Sequence, residues 1–437
     1  MTKRYESWGK YPKHQPALVH RLRWHTETPP FERFGRPVLA YGLGRSYGDV
    51  CLNDNGVLLD TARMAHFIAF DAERGLLRCE AGVSLKQILD LVVPRGWFLP
   101  VTPGTKYVTV GGAIANDVHG KNHHREGTFG CHVTQFELLR STGERLICSP
   151  TQNSDLFRAT IGGLGLTGLI TWAEIKLRPI RSVYIEMERI RFGSLDEFFD
   201  ISARSDARFE HTVAWLDCIA QGTSLGRGVF LRGNHSEEPG PLTPSKEPKL
   251  YVPFDFPSFV LNPLSMRAFN TFYYYMHTPA RSHKRVHYEP FFYPLDAVRR
   301  WNRIYGRRGF IQYQCVVPPT DRVEVMRELL TVIARSGRAS FLAVFKEFGD
   351  VASPGMLSFP RKGVTLALDF PFEGEATLRL CEQMDAIVRE AGGVLYPAKD
   401  ARMSGEDFRR FYPQWETFSR YVDPAFSSSF WRRVTRT

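Results

Sequence analysis

The stretch AYGLGRSYGDV, residues 40–50, sets Gly42, Gly44 and Gly48 beside Arg45 and Ser46. Glycines let backbone N–H groups come close to a ligand, and the guanidinium and hydroxyl add donors, which together suit a pyrophosphate. The same glycines also suit a plain tight turn. A nicotinamide-binding G-x-G-x-x-G must open a helix within a βαβ unit; here the spacing is G-x-G-x-x-x-G, and VCLNDNGVLLDT follows, with turn signals and a strand where the helix belongs. A second stretch, TPGTKYVTVGGAIANDVHGKNHHREGTFG, residues 102–130, holds six glycines and almost no large apolar run. It cannot be an ordinary core element, and a long structureless loop in a compact domain would be equally unusual. A backbone wrapped closely around a large ligand resolves the conflict. Gly111, Gly112, Ala113 and Ala115 permit near contact, while Thr109, Asn116 and Asp117 can serve ring heteroatoms. His119, His123 and His124 could instead bind a metal, but H-x-x-x-H-H is no zinc spacing and no cysteine or carboxylate pair completes a site. No metal is expected.

These loops need elements to hold them. Residues 36–180 read as short extended segments divided by glycine (RPVLAYG, GVLLDT, GLLRCEAG, FELLRSTGERLICS, GLITWAEIKLRPI), with helices at SLKQILDLVVPRG (84–96) and at NSDLFRATIGG (153–163), the latter opening on an Asn-Ser-Asp cap signal. There is no regular βαβ beat. From 181 onward, strands such as HTVAWLDC and GFIQYQCVV alternate with amphipathic helices DRVEVMRELLTVIARSG and EATLRLCEQMDAIVREAGG, the pattern of a second α+β domain. Residues 234–249, rich in Pro, Ser and charge, read as a mobile loop. The aromatic stretch LYVPFDFPSFVLNPLSMRAFNTFYYYMH after it reads as buried packing, with a lipid-touching surface as the sharper alternative.

With 437 residues, two domains are expected. A formal charge of +11 points to an anionic partner: nucleic acid, a phosphate-bearing small molecule or a membrane surface. Seven scattered cysteines without a C-x-x-C pair read as reduced structural thiols. No run of apolar residues is long enough to span a membrane, and the N-terminus lacks the apolar core of a secretory signal.

In order along the chain, GLGRSYGD, TPGTKYVTVGGAIANDVHGKNHH, RATIGGLGLTGLI, GFIQYQCVVP, FLAVFKEFG and GGVLYPAKDAR closely resemble the decaprenylphosphoryl-ribose 2-oxidases, over residues 36 to about 425. The resemblance implies an α+β, two-domain FAD-linked oxidase of the vanillyl-alcohol oxidase type. Its FAD domain would be split (1–180 and 393–437) around an inserted antiparallel-sheet substrate domain (181–392). By the same resemblance Ala40, Tyr41, Gly42, Leu43, Gly44, Arg45, Ser46, Tyr47, Gly48, Asp49 and Val50 hold the FAD pyrophosphate. Gly104, Thr109, Val110, Gly111, Gly112, Asn116, Asp117, Val118, His119, Ile170 and Tyr396 line the flavin and its phosphates, with FAD bound noncovalently.

Hydride reaching a flavin pushes negative charge onto its N1 and C2 carbonyl, so a fixed cation there lowers the barrier. Lys399 in YPAKDAR is the candidate. The substrate hydroxyl must also lose a proton, for which His119, Tyr47 and Tyr396 are candidates. By the same resemblance Lys121, Gln312, Gln314 and Lys346 would line a sugar-phosphate pocket, the two glutamines sharing one strand face; Trp215 reads as an apolar wall or, equally, as an ordinary core tryptophan. In TLALDFP, where the best-known relatives carry a cysteine two residues before the aspartate, this chain has Ala367.

The resemblance thus implies oxidation of the C2 hydroxyl of a polyprenyl-phosphoryl ribose, the first half of an epimerisation to arabinose for the cell envelope. It also implies an NAD-dependent short-chain reductase partner and peripheral contact with the inner membrane, on the cytoplasmic side unless the periplasmic face is used. Two other readings stay open: an FAD oxidase of a soluble sugar or aldonolactone, and a basic nucleic-acid-binding protein, which a flavin spectrum would dispose of.

Overall fold

In the computed structural model, which describes residues 4–436 apart from residue 339, the strand Phe310–Val317 is buried at every position. A strand with no exposed face has to lie inside a sheet covered on both sides. That sheet has eight strands in the order Arg281–His287, Tyr184–Phe192, Gly228–His235, His211–Leu216, Ala343–Phe348, Gly363–Pro371, Phe310–Val317 and Val394–Leu395. Every pairing in it is antiparallel.

Alternation divides its residues between two jobs. Tyr313, Cys315, Phe345, Leu366 and Leu368 point into a core shared with the helices Arg322–Ser336 and Glu375–Glu390. Gln312, Gln314, Lys346, Thr365 and Ala367, offset by one residue, face a large cavity. Register makes this face continuous, because Gln314 pairs with Ala367 and Lys346 with Thr365.

The N-terminal part builds two smaller sheets. In a parallel one, Val57–Asp60 lies between Leu18–Arg21 and Val38–Tyr41. The other is antiparallel, in the order Phe67–Asp71, Leu76–Glu80, Leu169–Lys176, Val133–Leu139, Arg145–Cys148. The helix Leu85–Val92 starts at Ser84, whose hydroxyl accepts from Gln87 N while the Gln87 side chain accepts from Ser84 N, a reciprocal cap. The helix Ser154–Thr160 differs from its sequence signal. Asn153 sits at φ +48° without capping, and its side-chain amide donates to Ile147 O at 2.8 Å instead.

After Val394–Leu395 joins the large sheet, the chain returns to the N-terminal part. There the helix Ser429–Thr435 packs on the turn Asp49–Cys51, and the Arg433 guanidinium bridges Asp49 (2.7 Å) and Asp400 (2.9 Å). This return carries Tyr396 and Lys399 into the cavity wall.

The aromatic stretch 250–276 is where the expectation of buried packing fails. Asn262 caps a helix Pro263–Tyr275 with proline in its first turn, a start signal hidden among the aromatics. That helix buries Met266 and Asn270 only, leaving Leu264 78% and Phe272 66% exposed, and Phe259 in the turn before it is 74% exposed. Among the described residues no helix is long and apolar enough to cross a membrane.

Candidate active site

Between the N-terminal loops, the sheet face and the returning C-terminal strand lies a cavity of about 940 Å³. Its first wall is the loop from Gly42 to Tyr47. Gly44 sits at φ +61°, and a Cβ there would fall 2.2 Å from the Tyr41 hydroxyl, so only glycine fits. Arg45 lies 4.2 Å from the centre of the Trp8 ring and donates to Leu43 O at 2.7 Å. The Tyr47 amide donates to Ala398 O at 2.9 Å, which ties this loop to the C-terminal return.

The second wall is the short helix Val110–Ala115 with the turns around it. Thr109 Oγ1 caps the helix by accepting from Gly112 N at 3.2 Å. Asn116 donates its side-chain amide to Gly112 O, its backbone carbonyl accepts from the Tyr396 hydroxyl at 2.7 Å, and its Oδ1 is buried without a partner. His119 Nε2 accepts from Gln314 Nε2 at 3.1 Å, and its Nδ1 is likewise orphaned. Burial above all, then Lys346, His123 and Lys399, hold this imidazole well below its ordinary value, so it is neutral.

Three amines face the same space. Lys399 Nζ stands 3.8 Å from the centre of the Tyr47 ring. Burial pushes this amine down, and the Asp369 carboxylate opposes the shift. Lys346 donates to Gly120 O at 2.6 Å and Lys121 to Phe291 O. Burial brings both down to about 7, with Lys121 and Lys399 adding repulsion at Lys346. Trp215 Nε1 donates to Phe341 O at 2.9 Å, and its ring lies 4.6 Å from that of Tyr273, forming an apolar stretch of wall.

Of the residues singled out from sequence, Ala40, Gly42, Leu43, Gly44, Arg45, Ser46, Tyr47, Val50, Gly104, Thr109, Gly111, Gly112, Asn116, Val118, His119 and Ile170 line this cavity. So do Lys121, Trp215, Gln312, Gln314, Lys346, Tyr396 and Lys399. Five are directed elsewhere. The Tyr41 hydroxyl donates to Glu6 O at 2.7 Å. Gly48 is glycine because a Cβ would lie 1.5 Å from Asp400 O, a close approach of chain to chain rather than of chain to ligand. Asp49 is occupied by Arg433, and Val110 belongs to the hydrophobic core. Asp117 is fully buried and accepts from Gly130 N at 2.9 Å and Ser353 Oγ at 2.5 Å, which pins the loop rather than touching a ligand.

Asp369 escaped the sequence reading, although it shares a strand face with Thr365 and Ala367. Its Oδ1 accepts from Gln312 Nε2 at 2.5 Å. His119, His123 and His124 do not bring their ring nitrogens together; among the described residues the group of three that does is Glu210, His211 and His235, where Glu210 also pairs with Arg178.

Residues 12–149 match the FAD binding domain family. Over 456 aligned positions the chain is 38% identical to decaprenylphosphoryl-β-D-ribose oxidase of Mycolicibacterium smegmatis, covering 99% of this chain and 97% of that protein. The chain belongs to that family. An uncharacterised protein of Streptomyces coelicolor is 32% identical over 80% of this chain and all of its own length. Mouse Δ(24)-sterol reductase is 29% identical over 43% of this chain and 35% of its own length.

The decaprenylphosphoryl-β-D-ribose oxidase family is flavin-dependent, and this chain is an FAD-dependent oxidoreductase of α+β fold. The cavity fits the cofactor on its own chemistry. It has glycine-lined backbone, an open face at Gly104 where a Cβ would meet nothing within 4 Å, and two orphaned buried polar atoms, the acceptor Asn116 Oδ1 and the donor His119 Nδ1. A polar aromatic guest supplies what those atoms lack.

Proposed function

We propose that the protein oxidises the C2 hydroxyl of a polyprenyl-phosphoryl ribose to the 2-keto sugar, the first half of an epimerisation to the arabinose form used in cell-envelope synthesis. FAD, held noncovalently by the glycine loops and the short helix Val110–Ala115, would supply the hydride acceptor for C2. Lys399, cationic over the Tyr47 ring, meets the negative charge that arrives with it. The hydroxyl proton goes to a base on the protein. Tyr47 and Tyr396 are unsuitable because burial raises both phenols well above their ordinary value, whereas His119 is neutral and its Nε2, released by Gln314 as the sugar binds, is the acceptor we assign.

Gln312 and Gln314 orient the sugar from one strand face. An ammonium has three donors and Lys121 and Lys346 each spend one on a carbonyl, leaving the others for the phosphodiester. The bound anion restores the charge that burial weakens. Loops from residues 1–180 and the return from 393–437 hold the cofactor, and the inserted domain 181–392 holds the substrate.

The observation that carries this reading is that one cavity is lined both by the amines Lys399, Lys346 and Lys121 and by the aromatic rings of Trp215, Phe269, Tyr273 and Phe341. Phe269 and Tyr273 come from the helix Pro263–Tyr275, whose other side exposes Leu264 and Phe272. A prenyl chain leaving the cavity along Trp215 therefore meets an apolar surface, and we assign that surface to peripheral contact with the inner membrane at its cytoplasmic face. An NAD-dependent short-chain reductase acting on the keto sugar completes the epimerisation.

The test is anaerobic mixing of the yellow protein with a short-chain prenyl-phosphoryl ribose while following flavin absorbance. Bleaching is expected. Bleaching by an aldonolactone or a free pentose, with none by the prenyl-phosphoryl ribose, overturns the proposal.

A further inference from the structure

His211 opens the strand His211–Leu216 and His235 closes the strand Gly228–His235. Because His211 pairs with Gly233, the two imidazoles are diagonal neighbours on one face of the sheet. Their rings stand 5.7 Å apart, caged by Phe98, Phe291 and Phe292. The chain bends at Glu210, one residue before the strand, and its carboxylate turns to the same place, 3.1 Å from His211 Nε2. One ligand atom from each of the three residues lies within 4.8 Å of the others.

Both histidines are buried, at 3% and 8% exposure, and none of their four ring nitrogens makes a hydrogen bond. The Glu210 contact is close enough for one but lacks the angle. Imidazoles among phenylalanines without partners are costly, and a further phenylalanine would fill the same cage more cheaply. Burial first, then Arg178, holds both rings well below their ordinary value, so they are neutral and carry a free lone pair. That is the form a metal ion requires.

We propose that Glu210, His211 and His235 bind one divalent transition-metal ion of the zinc class, which fastens the ends of two paired strands behind the cavity wall. Two imidazoles and a carboxylate are a zinc donor set, with solvent completing the tetrahedron. Bonds of about 2.0–2.1 Å space tetrahedral ligands about 3.4 Å apart, so side-chain rotation closes the group around the ion. Arg178 Nη1 is bound to Glu210 Oε1 and acts in two directions. It repels an incoming cation, and it orients the carboxylate as outer hydrogen bonds to metal ligands do. The affinity is therefore weaker than that of a zinc finger. The Glu210 side chain keeps 17% of its surface exposed, which gives the ion a way in from solvent. Phe292, against which the His211 ring packs at 4.8 Å, lines the cavity. The sequence expectation of no metal rested on the spacing of His119, His123 and His124; His211 and His235 come together only through strand pairing.

The experiment is zinc titration of the FAD-loaded protein, stripped first with a chelator, in competition with a chromogenic zinc indicator. Wild type should take up one ion per chain more tightly than any further ones, and its Tm should rise with zinc. His235→Phe keeps a ring in the cage and should fold without metal. It should bind that ion at least a hundredfold more weakly, since even outer partners of a metal ligand are worth up to about that factor, and lose the zinc-dependent rise in Tm. Should His235→Phe fail to fold, Glu210→Ala, which removes the carboxylate at a partly exposed position, carries the same comparison. Equal uptake by wild type and variant would place the zinc on surface histidines, and that result, like no uptake by wild type, overturns the proposal. Flavin reduction is not the readout, so failure here leaves the functional reading standing.

Discussion

Lys399 Nζ stands 3.8 Å from the centre of the Tyr47 ring, and the two residues are locked together by the hydrogen bond from Tyr47 N to Ala398 O at 2.9 Å. They lie far apart in sequence, one in the first glycine loop and the other in the C-terminal return. The meeting fixes the ammonium over an aromatic face. A cation in that place is preorganised, so little reorganisation is needed when charge develops opposite it.

Replacing Lys399 by methionine should therefore leave FAD bound and the fold intact while slowing flavin reduction about a hundredfold, from the roughly 3 kcal/mol that one preorganised donor supplies. Stopped-flow bleaching at saturating substrate reads the loss. Retained yellow colour with an unchanged reduction rate would remove Lys399 from the reaction.

The pair Lys121 and Lys346 predicts a pH dependence of binding. Burial sets both near 7, so in the free enzyme each is charged below that value and loses its proton as pH rises through it. A phosphodiester attracted to them should bind most tightly on the acid side of neutrality. KM should climb on the alkaline side while kcat at saturation changes less, because bound anion holds the protons on. A ribose analogue without the phosphate should show no such climb in KM. Stability has the opposite sign: a lysine depressed in the fold binds fewer protons than in the unfolded chain between about 7 and its ordinary value. The substrate-free protein should therefore gain stability as pH rises through that window.

How much of this was legible in the sequence depended on whether a partner was local. Glycine in the first loop signals close approach, and Gly44 does turn the chain beside the cavity. What approaches Gly48, however, is Asp400 O, and what occupies Asp49 is Arg433. Spacing within one loop carries no information about a helix that returns from the other end of the chain. Gln312 and Gln314 were placed on one face by alternation alone, and that face is the cavity wall. Asp369 sits among apolar strand residues and reads from sequence like any solvent-facing aspartate; its meaning lies in a cross-strand glutamine. The 250–276 stretch failed for the converse reason, since hydrophobicity predicts burial only where another element covers it.

Ala367 leads to a prediction about reagents. It lines the cavity beside Gln314 and Val344 and has no thiol to offer. The one cysteine in the wall, Cys51, is driven by burial up to about 12, with Asp49 adding to the shift, so little of it is thiolate at neutral pH. Electrophiles that alkylate thiols should leave flavin reduction unaffected. Ala367→Cys should confer time-dependent inactivation without loss of FAD, measured as residual bleaching after incubation, and a variant that stays resistant would place residue 367 out of ligand reach.

The exposed aromatic helix predicts a separation of binding from chemistry. Leu264 and Phe272 point away from the cavity and take no part in its wall, whereas Phe269 and Tyr273 on the same helix line it. Burying such side chains in a lipid interface is worth about 1.5–3 kcal/mol each when complete. The double variant Leu264→Ser, Phe272→Ser should therefore weaken flotation with anionic phospholipid vesicles at least tenfold. It should keep the wild-type rate on a short-chain substrate delivered from solution, because nothing that touches the sugar has changed. A long-chain substrate presented in vesicles should lose rate in step with the lost flotation. If flotation is unchanged, the apolar surface does not meet the bilayer, and the prenyl chain must reach Trp215 by another side of the inserted domain.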